Sequence, residues 1–408
     1  MILALIGDIH LDEKSPRFAH TLDVLDYVID DALAQGATHF ALLGDLFEQN
    51  PTGTEYAALL DRVHRMRADD REVIVILGNH EAYASLAFWH HLGVRVAWDE
   101  IAIVNTDEAR ILAIPYPRRG KPPVDDLEDD GTIQGSMKAA ADRIARLIAD
   151  YRHAVKPTIV LAHFTIQGMT TLDTDFEQHQ ATEVIVPRAA FEGCALAAVG
   201  HIHKAQNWNG GWHPTACNEC GADPMGAHME GCGDYGHELR GWRYDMSGEG
   251  PALVGTGSLI RHSFAEKDDP KSYTLVDIHD GHTTWTRRLV PARPQIVETM
   301  DWQPSPSANA VAANILAMRA PGHEVKLTVR IAEDLVSSFD ASVFQVVREQ
   351  AALFVLDRET VTSARTRAPE IHAAHTLPEL LAAWLAATGT ELSERSARLA
   401  EKLGEVEG

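Results

Sequence analysis

The sequence predicts an α/β fold in which β-sheets are flanked by helices, followed by a small C-terminal βαβ unit and terminal helices. Three observations predict it. Apolar runs of strand length alternate with amphipathic helical stretches from the amino terminus onward, the pattern of a sheet covered by helices. Five polar blocks rich in Asp and His each follow directly on one of those strand-like runs. A separate strand–helix–strand pattern begins after residue 294.

In order along the chain, Ile2–Ile6 is the first apolar run, and Phe18, Leu22, Leu25, Val28, Ile29 and Leu33 then recur at helical spacing. Residues 40–43 give a second strand, 56–66 a helix and 73–77 a third strand; 111–114, 158–162 and 196–199 continue the series. Residues 115–132 hold prolines, a basic cluster and the acidic run 125–130, which reads as a surface loop. Residues 207–250 are rich in Gly, His, Cys and Trp and poor in apolar periodicity, so they read as an insertion. Strands resume at 252–254 and 273–278, and the first domain spans 1–294. Within 295–367, a strand at 325–331, a helix at 341–351 and a strand at 353–356 make the βαβ unit. Residues 368–408 close the chain with two amphipathic segments, one carrying Leu377, Leu380, Leu381, Trp384 and Leu385, the other Leu392, Leu399 and Leu403.

The 408 residues are 45% hydrophobic and 23% charged, enough for a main domain with a sizeable core and smaller attachments. Asp8 and His10 interrupt the apolar start before a signal peptide or membrane span can form. A cytoplasmic protein with no membrane contact is expected. The net charge of −23 opposes broad binding to nucleic acid. Any DNA contact must be local, metal-assisted or shared with a partner; Arg62, Arg65 and Arg67, then Arg118, Arg119 and Lys121, are the basic spots on offer, or else ordinary solvated faces.

The five blocks are Gly7-Asp8-Ile9-His10, Gly44-Asp45-Leu46-Phe47, Gly78-Asn79-His80-Glu81, Ala162-His163-Phe164 and Gly200-His201-Ile202-His203. Ligands of α/β sheets gather beyond the carboxyl ends of strands, so blocks scattered in sequence converge in space. Asp, Asn and His in this mixture suit hard to borderline divalent ions. Two such ions activate water and clamp a phosphoryl group, and a histidine surplus to ligation serves as proton donor to the leaving group.

This pattern resembles the calcineurin-like metallophosphoesterases, a layered sandwich fold. Further runs are similar to the SbcD branch, the nuclease subunit of the bacterial SbcC–SbcD complex: Ile114-Pro115-Tyr116-Pro117, His163 with Gly168, His201 through Gln206, Gly257-Ser258-Leu259-Ile260-Arg261 with Phe264 and Glu266, and Val290-Pro291-Ala292-Arg293-Pro294. The resemblance covers about 1–208 and 251–294, and more loosely the βαβ unit as a capping domain and the C-terminal helices as partner-binding elements. It implies Asp8, His10, Asp45 and His203 on a first metal and Asp45, Asn79, His163 and His201 on a second, with Asp45 bridging. It implies His80 as the catalytic histidine, oriented by Glu81, although many relatives carry Asp at that last position. Manganese, an exonuclease and endonuclease acting on DNA ends and hairpins in repair and recombination, and an SbcC-type ATPase partner follow as expectations; a homodimer is expected too. The chain has no Gly-x-x-x-x-Gly-Lys-Ser/Thr loop of its own.

The insertion departs from that family. Cys217-x-x-Cys220, His228 and Cys232 have spacing that suits a structural zinc, with His213 and His237 as other fourth ligands. A loop with incidental cysteines is the alternative. Cys194 stands apart in an apolar stretch and reads as a small buried residue. Two rival functions stay open at this level: a phosphatase or phosphodiesterase on small molecules, which has the same centre, and a non-catalytic DNA-end-binding scaffold.

Overall fold

A computed structural model describes residues 1–81, 89, 92–98, 100–117, 133–170, 183–208, 242–244 and 250–361. The chain divides into two compact units, Met1–Ile296 with Gly322–Glu324, and Val297–Pro321 with Val325–Gly408.

Two sheets form the centre of the first unit. The seven-stranded sheet runs in the order β12 (Trp242–Tyr244), β15 (His282–Leu289), β14 (Ser272–His279), β1 (Ile2–Ile6), β2 (His39–Leu43), β3 (Glu72–Ile76), β4 (Arg95–Ala97). The six-stranded sheet runs β11 (Gln206–Trp208), β13 (Ala252–Gly255), β10 (Leu196–Gly200), β7 (Thr158–His163), β6 (Arg110–Ile114), β5 (Ala102–Asn105). A short parallel pair, β8 (Thr165–Ile166) and β9 (Ile185–Val186), stands apart. From β1 through β4, and from β6 through β7 and β10 to β13, neighbouring strands are parallel. Parallel strands of this kind are buried on both faces, which is why they read as continuous apolar runs.

Side chains alternate across a strand, and the alternation sorts the core into layers. Leu3, Leu5, Ala41, Leu43, Ile74 and Ile76 meet Ile111, Ala113, Ile159, Leu161, Ala198 and Val254 between the sheets. Their in-between neighbours Ala4, Ile6, Phe40, Leu42, Val73 and Val75 face Val24, Val28 and Ile29 of helix α1 (Phe18–Ala34) and Leu59, Val63 and Met66 of α2 (Gly53–Arg67). On the far side, Leu112, Ile114, Val160, Ala197 and Val199 pack on Ala141, Ile144 and Ile148 of α3 (Ile133–Tyr151). The result is a helix–sheet–sheet–helix sandwich, the layered fold the sequence predicts.

α2 begins with a reciprocal cap in which Thr52 and Glu55 each satisfy the other's backbone N–H. Several elements exceed the sequence reading: α3, the strand β15 and, in the second unit, a strand–helix pair ahead of residue 324. That unit holds the sheet β16 (Gln295–Asp301), β17 (Glu324–Ala332), β18 (Leu353–Val361), with α4 (Pro306–Arg319) between the first two. The helix expected at 341–351 is instead a 3-10 turn, Ala341–Phe344, leading into the short α5 (Gln345–Gln350). The segments 207–250 and 368–408 lie outside the described residues, β11 and β12 excepted. No helix among the described residues is long and apolar enough to cross a membrane.

Candidate metal centre

Five strand ends bring the polar blocks together. Gly7 to His10 leave β1, Gly44 and Asp45 leave β2, and Gly78 to His80 follow β3; His163 ends β7, and His201 to His203 follow β10. β1, β2 and β3 are neighbours in one sheet, β7 and β10 in the other. The first two loops stay paired beyond their strands: Asp8 N–H donates to Gly44 O at 3.3 Å and His10 N–H to Asp45 O at 2.9 Å.

The backbone here is strained. Asp8, His10, Asp45 and His201 have φ of 49°, 48°, 48° and 93°, a left-handed region that costs a non-glycine residue about 1–3 kcal/mol. Gly44 has φ of 92°, and a Cβ at that position would run into the His163 ring. A Cβ at Gly78 would collide with the Asp45 carboxylate. The two glycines therefore admit the close approach of His163 and Asp45.

Ligand atoms of Asp8, His10 and His203 lie within 4.8 Å of one another, and so do those of Asp45, His163 and His201. Hydrogen bonds decide which ring nitrogens carry protons. A carboxylate or carbonyl oxygen only accepts, so the nitrogen facing it is the N–H. His10 Nδ1 donates to Glu48 Oε2 at 2.8 Å, and His203 Nδ1 faces Glu266 Oε1 at 3.4 Å. In the neutral rings the lone pairs then sit on the two Nε2 atoms, which are 3.0 Å apart. His163 Nδ1 donates to Leu43 O at 2.6 Å, and its Nε2 meets Asp45 Oδ2 at 3.2 Å and Asn79 Oδ1 at 3.0 Å. His201 Nε2 donates to Glu183 Oε1 at 3.3 Å, while its Nδ1 lies 3.1 Å from Asn79 Oδ1.

Lone pairs that converge this closely repel unless a positive charge stands among them. Without an ion that charge is a proton: burial opposes it, but the Asp45 carboxylate lifts His163 to about 9. Burial also opposes ionisation of Asp45, yet the His163 ring against it holds the carboxyl far below its usual range. Asp8 adds an orphan. Its Oδ1 accepts from His201 N–H at 2.8 Å, while its buried Oδ2 has no hydrogen-bond partner among the described residues. A donor set of carboxylates, imidazoles and one amide oxygen, arranged so that only a cation relieves it, fits divalent ions.

His80 stands beside this set. Its Nδ1 donates to Glu48 O at 2.7 Å, its backbone N–H donates to Asp45 Oδ1 at 3.1 Å, and its ring lies edge-on to His10 at 5.0 Å. Glu81, the expected orienting residue, also binds the backbone around it. Its buried carboxylate accepts from the N–H groups of Gly78, Asp45, Leu46 and Phe47 at 2.6, 3.2, 2.6 and 3.3 Å. Glu81 thus ties the loop after β2 to the loop after β3, and the Glu48 carbonyl holds the His80 ring.

The sequence reading missed Glu48, Glu183 and Glu266 as partners of histidines. Glu48 was within reach of it, three residues beyond Asp45; the other two act across chain separations no motif spans. The candidate zinc residues Cys217, Cys220, His228 and Cys232 lie outside the described residues, as do Arg118, Arg119 and Lys121. Among the other basic spots, Arg62 and Arg65 pair with Asp26, Arg65 also with Asp30, and Arg67 donates to Leu92 O. Cys194 is buried, as expected.

Residues 1–205, half of the chain, match the family model of the calcineurin-like phosphoesterases. The chain belongs to that family. A dimetal phosphatase from Danio rerio is 10% identical, over 71% of this chain and 96% of its own, with a TM-score of 0.41. A protein from Thermus thermophilus is 11% identical, over 69% of this chain and 97% of its own, with a TM-score of 0.34. As a calcineurin-like phosphoesterase the protein is a metal-dependent hydrolase of phosphoesters, and the family implies two divalent ions, for which the convergent lone pairs provide places.

Proposed function

We propose that this phosphoesterase is an SbcD-like DNA nuclease subunit that hydrolyses phosphodiester bonds in DNA-end processing. In this reading it takes two manganese ions and works in the cytoplasm as a homodimer with an SbcC-type ATPase. The observation that carries the hydrolytic centre is the meeting of His10 and His203 Nε2 at 3.0 Å with the unpartnered Asp8 Oδ2 nearby. DNA as substrate is supported by the SbcD-like runs around His201, Ser258 and Pro291 and by a folded second unit placed after the phosphoesterase unit.

Asp8, His10, Asp45 and His203 would hold one ion, and Asp45, Asn79, His163 and His201 the other. When bound, such ions supply an activated water and offset the negative charge of the phosphoryl group. The chain's own residues do the rest. Glu48 holds His10 through its carboxylate and His80 through its carbonyl. With His80 Nδ1–H donated to that carbonyl, Nε2 is the nitrogen left for the leaving oxygen; the doubly protonated ring would give up its Nε2 proton there and return to the neutral Nδ1–H form. Glu81 keeps the Asp45 and Asn79 loops in register without touching the reacting atoms.

A second reading, a phosphodiesterase of small molecules, has one feature in its favour. The net charge is −23, which opposes attraction of a duplex, and Arg62 and Arg65 are paired with Asp26. Manganese-dependent release of nucleotides from duplex DNA, measured beside hydrolysis of a small phosphodiester, separates the two. Preference for the small ester would overturn the nuclease assignment, and DNA binding without turnover of either would make the chain a scaffold.

A further inference from the structure

The stretch from Gly257 to Lys271 runs behind His203 and grips it at several atoms. Ser258 N–H donates to His203 O at 3.1 Å, and Lys271 Nζ donates to the same carbonyl at 3.2 Å and to Ser258 Oγ at 2.9 Å. Lys271 Nζ also lies 2.6 Å from Glu266 Oε2, in an ion pair whose side chains are 1% and 2% exposed. Both Glu266 oxygens are occupied: Oε1 by Ser263 N–H, Ser263 Oγ–H and His203 Nδ1 at 3.2, 3.3 and 3.4 Å, Oε2 by Lys271 and by His262 N–H at 3.4 Å.

An ion pair so deeply buried stabilises a fold no better than well-packed apolar side chains of the same size. Its placement behind a candidate ligand is therefore the informative fact. A carboxylate that cannot rotate fixes the proton on His203 Nδ1 and leaves the Nε2 lone pair aimed at His10. The corresponding partner of His10, Glu48, has a side chain 44% exposed and is the softer hold. Partners of this kind orient a ligating imidazole and raise its basicity.

We propose that Glu266, held by Lys271, is a positioning residue for His203 and so governs affinity at the first metal position without governing the second. The proposal rests on the two-ion reading of the centre. Its test is manganese binding to the full-length, metal-stripped chain, by calorimetry and by the electron paramagnetic resonance of the coupled ion pair. Wild type is expected to bind two ions. Glu266→Gln should weaken one of them by about 10–100-fold and leave the other unchanged, so that the coupled signal gives way to that of an isolated ion.

Because Glu266→Gln takes the carboxylate from buried Lys271, the double variant Glu266→Gln with Lys271→Met is measured beside it. That variant should regain thermal stability and still show the weakened ion. Two ions bound as in wild type by a folded variant would overturn the proposal. So would equal weakening of both ions, or failure of both variants to fold, either of which makes the pair structural. A wild-type chain that binds no ion pair would instead overturn the two-ion reading itself.

Discussion

At the scale of single residues, the centre is built from groups that are each awkward without a cation and compatible with one. His80 is different: it stands with His10 and Glu48 in a third group whose ligand atoms lie within 4.8 Å of one another, but the family resemblance leaves it surplus to the two ligand sets. Its ring is tied to the Glu48 carbonyl, and the link to Asp45 runs through its backbone N–H, which alanine retains. His80→Ala should therefore keep both ions, by elemental analysis, while turnover falls about 10²–10⁴-fold; loss of an ion would show that His80 is a ligand. Gly44→Ala makes the opposite prediction. Its φ of 92° and the His163 ring in the path of a Cβ leave a methyl group no room. We expect destabilisation by about 1–3 kcal/mol in urea unfolding, with weakened binding at the second metal position. The residue types and their order made most of this centre legible in the sequence. The four backbone amides that Glu81 accepts from could not be read in the sequence, because only the folded loops bring them to its carboxylate.

At the scale of elements, legibility followed burial. Strands covered on both faces, such as β2 and β7, stand out as apolar runs, whereas β15 carries Thr283, Trp285 and Arg287 on its buried side and gives no run to detect. α4 escaped for another reason: Ala313, Leu316 and Ala317 are buried while Val311, Ile315 and Met318 are exposed, so apolar residues surround it and no single face is marked. α1 was read from its apolar stripe, yet the stripe hides a polar member. His20 is buried, and its Nε2 accepts from Arg293 N–H at 3.0 Å. Burial, then the charge of Arg293, pushes it from 6.5 down to about 4. As pH falls through that interval the unfolded chain takes up a proton that the folded chain refuses. The stability due to neutral His20 is thus fully present above pH 6.5 and declines toward pH 4. Urea unfolding across this window should show a steeper loss for wild type than for His20→Gln, which keeps an acceptor but cannot titrate. Parallel pH profiles would assign the acid sensitivity elsewhere.

At the scale of the whole molecule, the chain does not leave the first unit once. It departs after Ile296, returns for Gly322–Glu324 and departs again. A change of pattern near residue 294 was visible in the sequence, but a three-residue return carries no pattern of its own and depends on what it touches. Glu324 is what it delivers. The carboxylate accepts from Arg17 Nε at 3.0 and 2.8 Å and from Gln295 Nε2 at 2.9 Å, with its side chain 2% exposed. Arg17 sits just ahead of α1 and also donates to His262 O at 3.2 Å, so one buried pair joins the start of the chain, the stretch behind His203 and the returning segment. Cutting one partner from such a pair leaves an uncompensated charge and costs about 3–5 kcal/mol, whereas replacing both by apolar groups is close to neutral. Glu324→Ala should accordingly lower the unfolding free energy of the first unit, extrapolated from urea titration, by an amount in that range, and Arg17→Met combined with Glu324→Leu should recover most of it. Equal losses in the single and double variants would mean that packing around these side chains, and not their charge, closes the unit.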